Sequence, residues 1–132
     1  MTTHDSENFL VSYQTKGKLP SLPFVDMKNA ILGKKYDLSL ACVNKTKAQS
    51  LNTLYRKKTY VPNILSFPLD AQSGELILHL PTIKKEYKKF GLSYDGYVGY
   101  LFIHGCLHLK GYDHGAEMDR LEEKFKKKYT IV

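Results

Sequence analysis

Three histidines, His104, His108 and His114, stand in the run HGCLHLKGYDH, whose pattern is HxxxHxxGxxH. On a helix of about 3.6 residues per turn, positions four apart share a face, so the first two imidazoles point the same way. Gly111 offers a place to leave the helix and turn His114 back toward the same point. Burying three imidazoles so close together without a shared purpose would cost desolvation at each. Three neutral imidazoles with a fourth position open describe a catalytic type of zinc site rather than a closed structural one. Nickel or copper would accept the same ligands, but three ligands plus water is the common open arrangement of zinc. Asp113, just before His114, could orient a ligand imidazole, and could equally shape the turn.

At such an ion, water ionises near neutral pH and can attack a carbonyl or a phosphoryl centre. A peptidase built on HxxxH carries a glutamate directly after the first histidine as general base. Here that position is Gly105, which cannot serve. Arg56, one of two arginines with Arg120, is the other candidate. A guanidinium binds phosphate bidentately and stabilises charge on a phosphoryl transition state. A metal paired with an arginine points to phosphodiester cleavage.

Charge supports that direction. The chain of 132 residues carries 20 Lys+Arg against 13 Asp+Glu, a net +7. From 38 to 69 there is no acid at all, while Lys45, Lys47, Arg56, Lys57 and Lys58 fall within that span. The KKEYKK run adds Lys84, Lys85, Lys88 and Lys89. A concentrated basic excess is the electrostatic footprint of nucleic-acid binding, though a solvated basic face has the same composition. Lys57 and Lys58, beside Arg56, are candidate RNA contacts. Tyr55, Tyr60 and Tyr87 could stack on unpaired bases or belong to the core.

The elements that must position these groups read as follows. Residues 8–15 and 36–44 alternate as strands, and 24–35 is a short amphipathic helix stopped near Gly33. Asn44 or Thr46 could cap a helix over 45–56, with Leu51, Leu54 and Tyr55 as its apolar stripe. Residues 63–69 and 74–80 are strands suited to hairpin pairing. Pro81 suits the first turn of a helix that Gly91 ends. Ser93 then caps a helix over 94–110, apolar nearly all round and therefore buried. A charged last helix over 116–129 turns Met118, Leu121 and Phe125 inward. The expectation is a single α+β domain over 1–132, with a mixed sheet of about four strands packed with helices. His4 lies in a polar N-terminal segment, and the direction of His79 on its strand stays open. Cys42 and Cys106 sit in apolar stretches, which predicts buried free thiols. With no secretory signal and no apolar run of about 20 residues, the expected setting is the cytoplasm, away from membranes.

The run HGCLHLKGYDH resembles the HGxLHLxGYDH signature of the YbeY family of bacterial rRNA-maturation endoribonucleases. LNTLYR, ending in Arg56, resembles the family's LNxxYR element. NILSFPL resembles its TDVLSFP strand, GELILHLP its GDIxIxxP strand, and EMDRLEEKF its MExLE segment. The resemblance runs from about residue 38 to 125. It implies that His104, His108 and His114 hold a metal and that Arg56 is the functional arginine facing it. It further implies cleavage of single-stranded RNA in maturation of 16S rRNA ends and in ribosome quality control. A non-catalytic ribosome-assembly factor with a structural metal is the competing reading, and a metallopeptidase a third. The chain departs from the family pattern in three places. Pro62-Asn63 replaces Thr-Asp, Glu75 replaces Asp, and the helix before Arg56 is basic rather than acidic.

Overall fold

The computed structural model describes residues 2–6 and 8–132, with side chains from residue 8 onward. Five strands form one mixed sheet: β1 (Thr2–Ser6), β2 (Phe9–Tyr13), β3 (Asp37–Cys42), β4 (Ile64–Asp70) and β5 (Ser73–Leu78), in spatial order β1-β2-β3-β5-β4. The outer pairs β1–β2 and β4–β5 are antiparallel, and β2–β3 and β3–β5 are parallel. The expected hairpin of the last two strands is thus present. β4 is an edge strand, which is where Pro68 can sit without breaking a ladder.

The strand count is one more than the sequence pattern suggests. β1 lies in the polar N-terminal segment and carries no apolar alternation, so nothing in its composition marks it as a strand. His4 falls within it, opposite Leu10, and its side chain lies outside the described residues.

Alternation along the strands builds two cores. Leu38, Leu40, Leu76 and Leu78 face one side and pack with α1 (Phe24–Leu32) and α4 (Tyr94–Lys110). Ala41, Val43, Leu65 and Ile77 face the other and meet Ala48 of α2 (Lys45–Arg56). The larger core holds α4 at its centre, with Val98, Phe102, Ile103 and Cys106 fully buried. Ser93 caps α4, its Oγ accepting from the Gly96 N–H at 3.0 Å. Asn44, not Thr46, caps α2 through the Lys47 N–H at 2.8 Å.

Two helices differ from expectation. The apolar stripe of α2 is Ala48 with Leu51, whereas Leu54 and Tyr55 stay exposed, at 70% and 63%. Asn52 is fully buried on the inner face of α2, and Tyr55, in the last turn, rests on the half-buried Phe67 of β4 instead of entering the core. The helix at Pro81 is short, α3 (Leu80–Glu86), and passes into a 3-10 turn over Tyr87–Phe90 before Gly91 ends it. The last helix, α5 (Ala116–Lys128), buries Met118, Leu121 and Phe125 as its pattern predicts. Both cysteines are free and buried, and burial pushes the Cys42 thiol up to about 11. No helix among the described residues is long and apolar enough to cross a membrane.

Candidate metal centre and facing cleft

α4 delivers His104 and His108 to one side of the sheet, and the turn after it delivers His114. Gly111 makes that turn in the left-handed region, at φ 113°, and its N–H closes onto the His108 carbonyl at 3.0 Å. A side chain with a Cβ would be strained there. The next residue, Tyr112, bonds back to the Leu107 carbonyl at 3.0 Å, which aims its own carbonyl at the site.

The imidazoles are oriented from behind. His108 Nδ1 donates to the Tyr112 carbonyl at 3.0 Å. His104 Nδ1 donates to the Glu122 carboxylate at 2.5 Å. A carbonyl and a carboxylate only accept, so each Nδ1 carries the proton and each Nε2 of a neutral ring carries a lone pair. Those two Nε2 atoms lie 3.1 Å apart. Two lone pairs so close repel unless a cation sits between them. The spacing is near the ~3.3 Å that two nitrogens on one tetrahedral zinc ion would have. Ligand atoms of His104, His108 and His114 all lie within 4.8 Å of one another. The donor set therefore fits a divalent ion that accepts imidazole. Burial, together with the neighbouring His104, lowers the His108 pKa, which keeps that ring in its ligating form.

Glu122 is the site residue that the sequence did not reveal. It lies in a run of charges, yet it is only 7% exposed and also accepts from the Tyr100 hydroxyl at 3.3 Å. Its spacing was the available signal. It falls four after Met118 and three before Phe125, on the inward stripe of α5. Asp113 is exposed and acts on His108 as a nearby negative charge, while the hydrogen bonds that orient the histidine rings through Nδ1 go to Glu122 and Tyr112.

Gly105 has a packing reason. A Cβ there would stand 2.7 Å from Leu76 Cδ2 and 2.9 Å from Ile64 Cδ1. The helix lies against the sheet at this point, so the position that holds glutamate in a zinc peptidase has no room for a side chain. His79 is set apart from the cluster: it is buried at the start of α3, with Nδ1 2.7 Å from Thr82 Oγ1.

The three histidines open onto a cavity of about 670 Å³ whose other walls include Tyr55, Arg56, Tyr60 and Asn63. Arg56 ends α2, and the chain turns after it through Lys57, a non-glycine residue at φ 58°. Side chains of α2 hold the loop that follows by three consecutive carbonyls. Thr53 donates to Lys58 at 2.8 Å, Gln49 to Thr59 at 2.6 Å, and Asn52 to Tyr60 at 2.9 Å. Lys57 and Lys58 are exposed on this loop beside Arg56 and do not line the cavity. Tyr87 does not line it either, and packs edge-on against Tyr94 at 6.0 Å.

Asn63, the departure from an acidic residue, also has a local account. Its Nδ2 donates to Glu86 Oε1 at 3.1 Å and to the Tyr97 hydroxyl at 3.3 Å. An aspartate in its place would set a second carboxylate against Glu86, which like-charge repulsion opposes. Among the described residues, no Asp or Glu lines the cavity, and its fixed positive charge comes from Arg56.

Comparison with known proteins places this geometry. The family model described as "Endoribonuclease YbeY" matches residues 21–132. An Endoribonuclease YbeY of Polynucleobacter asymbioticus is 40% identical over 100 residues, covering 69% of this chain and 64% of that one. One from Pseudomonas syringae pv. syringae is 36% identical over 99 residues, covering 65% of this chain and 60% of that one. This chain thus spans about three-fifths of the length of these relatives. One from Nautilia profundicola is 35% identical over 113 residues, covering 80% of each chain. A solution structure from Thermotoga maritima shares the fold, with TM-score 0.57 and 20% identity over 90% of this chain and 88% of that one.

Proposed function

This chain belongs to the YbeY family, and from that premise we propose that it is a metal-dependent endoribonuclease acting on single-stranded RNA. The observation that carries the reading is the shared cavity, with three imidazoles on one wall and Arg56 on another. His104, His108 and His114 would hold the ion, and zinc best suits three neutral imidazoles with an open position. A divalent ion bound there supplies Lewis acidity toward a phosphoryl oxygen and lowers the pKa of water. Arg56 grips the scissile phosphate through two N–H groups and stabilises the charge that develops on it. Lys57 and Lys58, exposed beside it, hold the flanking backbone by charge. The whole chain, 1–132, acts as one such unit in the cytoplasm. Its substrate is the 3′ end of 16S rRNA on the small ribosomal subunit, in maturation and quality control.

The test is metal content measured together with cleavage of a single-stranded RNA. His114→Ala is expected to lose both, and Arg56→Ala to lose cleavage while keeping the metal. Both side chains are exposed, so neither change should unfold the protein. Equal cleavage by His114→Ala would overturn the metal-site mechanism. A second reading has one observation in its favour, the absence of a carboxylate on the cavity wall among the described residues. In that reading the chain is a ribosome-assembly factor whose metal supports the fold. Metal-loaded protein would then be inert on RNA, and chelation would lower its melting temperature.

A further inference from the structure

We propose that Tyr55 and Tyr60 form a base-stacking platform on the Arg56 wall, and that this platform makes the cleft select unpaired strands. The inference rests on the RNA-cleaving reading above and adds the part of the substrate it reads. Tyrosine is abundant here, with ten in the chain, and most are used by the fold. Tyr36 and Tyr97 are buried, Tyr100 bonds Glu122, and Tyr129 bonds Asp26. Tyr55 and Tyr60 differ. They are 63% and 53% exposed, and both line the cavity that holds the histidines. Neither hydroxyl has a hydrogen-bond partner among the described residues.

Their placement is built rather than incidental. Tyr55 rests edge-to-face on Phe67 of β4, with ring centroids 5.1 Å apart, so its ring is held from one side. The backbone that carries Tyr60 is fixed by the bond from buried Asn52 to its carbonyl. Arg56 follows Tyr55 directly and lines the same cavity. An aromatic surface beside a guanidinium matches a nucleotide, which presents a flat base and an anionic phosphate. The surrounding span contains no acid to repel that phosphate. In a duplex the base faces are covered by their neighbours, so a stacking platform gains from unpaired bases only. Single-strand preference then resides in the tyrosines, and phosphate capture in Arg56.

The chain has no tryptophan, so Tyr55→Trp carries a lone reporter at the platform. Its fluorescence would be followed while a single-stranded 2′-O-methyl oligonucleotide is added. The same strand with abasic positions and its duplex serve as controls. Stacking predicts quenching by the intact single strand, and little by the abasic strand or the duplex. In binding measurements Tyr55→Leu should weaken the intact strand by about tenfold and leave the abasic strand unchanged. Tyr55→Phe should bind like the parent. If Tyr55→Leu binds the intact strand as tightly as the parent, or the abasic strand quenches fully, the platform is refuted. The two readings fail separately. A parent that discriminates these oligonucleotides but cuts no RNA keeps the platform and loses the nuclease. A parent that cuts RNA while Tyr55→Leu binds unchanged does the reverse.

Discussion

The two walls of the cleft are made rigid by opposite means. On the histidine wall each oriented ring is fixed by a buried or backbone acceptor, Glu122 behind His104 and the Tyr112 carbonyl behind His108. The groups that matter are set into the larger core, on a helix pressed against the sheet at Gly105. On the arginine wall the working side chains are exposed, and apart from the Tyr55 ring resting on Phe67 it is the backbone beneath them that is clamped, by Gln49, Asn52 and Thr53. The first arrangement suits a point ligand that needs fixed directions. The second suits a flexible polymer, whose binding tolerates moving side chains on a fixed loop.

If that division is right, the walls should fail independently. The largest effect is expected from Gly105→Glu, which forces a charged side chain between α4 and the sheet. It should cost about 3 kcal/mol or more, seen as a large fall in melting temperature, together with loss of metal. A variant that melts like the parent and binds metal would show that close approach is not what the glycine supplies. Next comes Glu122→Gln, which keeps the shape but no longer fixes the proton on His104. Metal affinity should fall about 10–100-fold by competition titration, with oligonucleotide binding little changed. Unaltered affinity would remove Glu122 from the metal centre. The smallest effect is expected from Asn52→Ala, at about 1–2 kcal/mol in denaturant unfolding. It should weaken oligonucleotide binding and spare the metal. A loss of metal in that variant would mean that the walls are coupled after all.

The same division explains what could be read in advance. The histidines were legible because helical periodicity and one glycine bring them together within a single local segment. Arg56 was legible through charge, since a lone arginine stands out in a span without acid. Glu122 and Asn52 were not, because both are polar residues whose burial depends on partners far along the chain. Only its place on the stripe of Met118 and Phe125 separates buried Glu122 from exposed Glu123, and composition alone reads both as surface charge. Tyr55 reads as part of the apolar stripe of α2 because the pattern cannot tell a ring buried in the core from one left exposed at the end of the helix. β1 went unseen because its residues are polar and only pairing with β2 makes it a strand.

The position of α4 in the chain bears on how the protein is made. All five strands precede it, and α1 covers only part of the sheet face that α4 completes. A growing chain therefore holds Leu38, Leu40, Leu76 and Leu78 partly uncovered until residues 94–110 have left the ribosome. The segment that covers this sheet face is the one that carries His104 and His108, and α5 then adds Met118, Leu121 and Phe125 to the same core. During synthesis, the cleft gains two of its three clustered histidines in the step that covers this sheet face, and His114 follows.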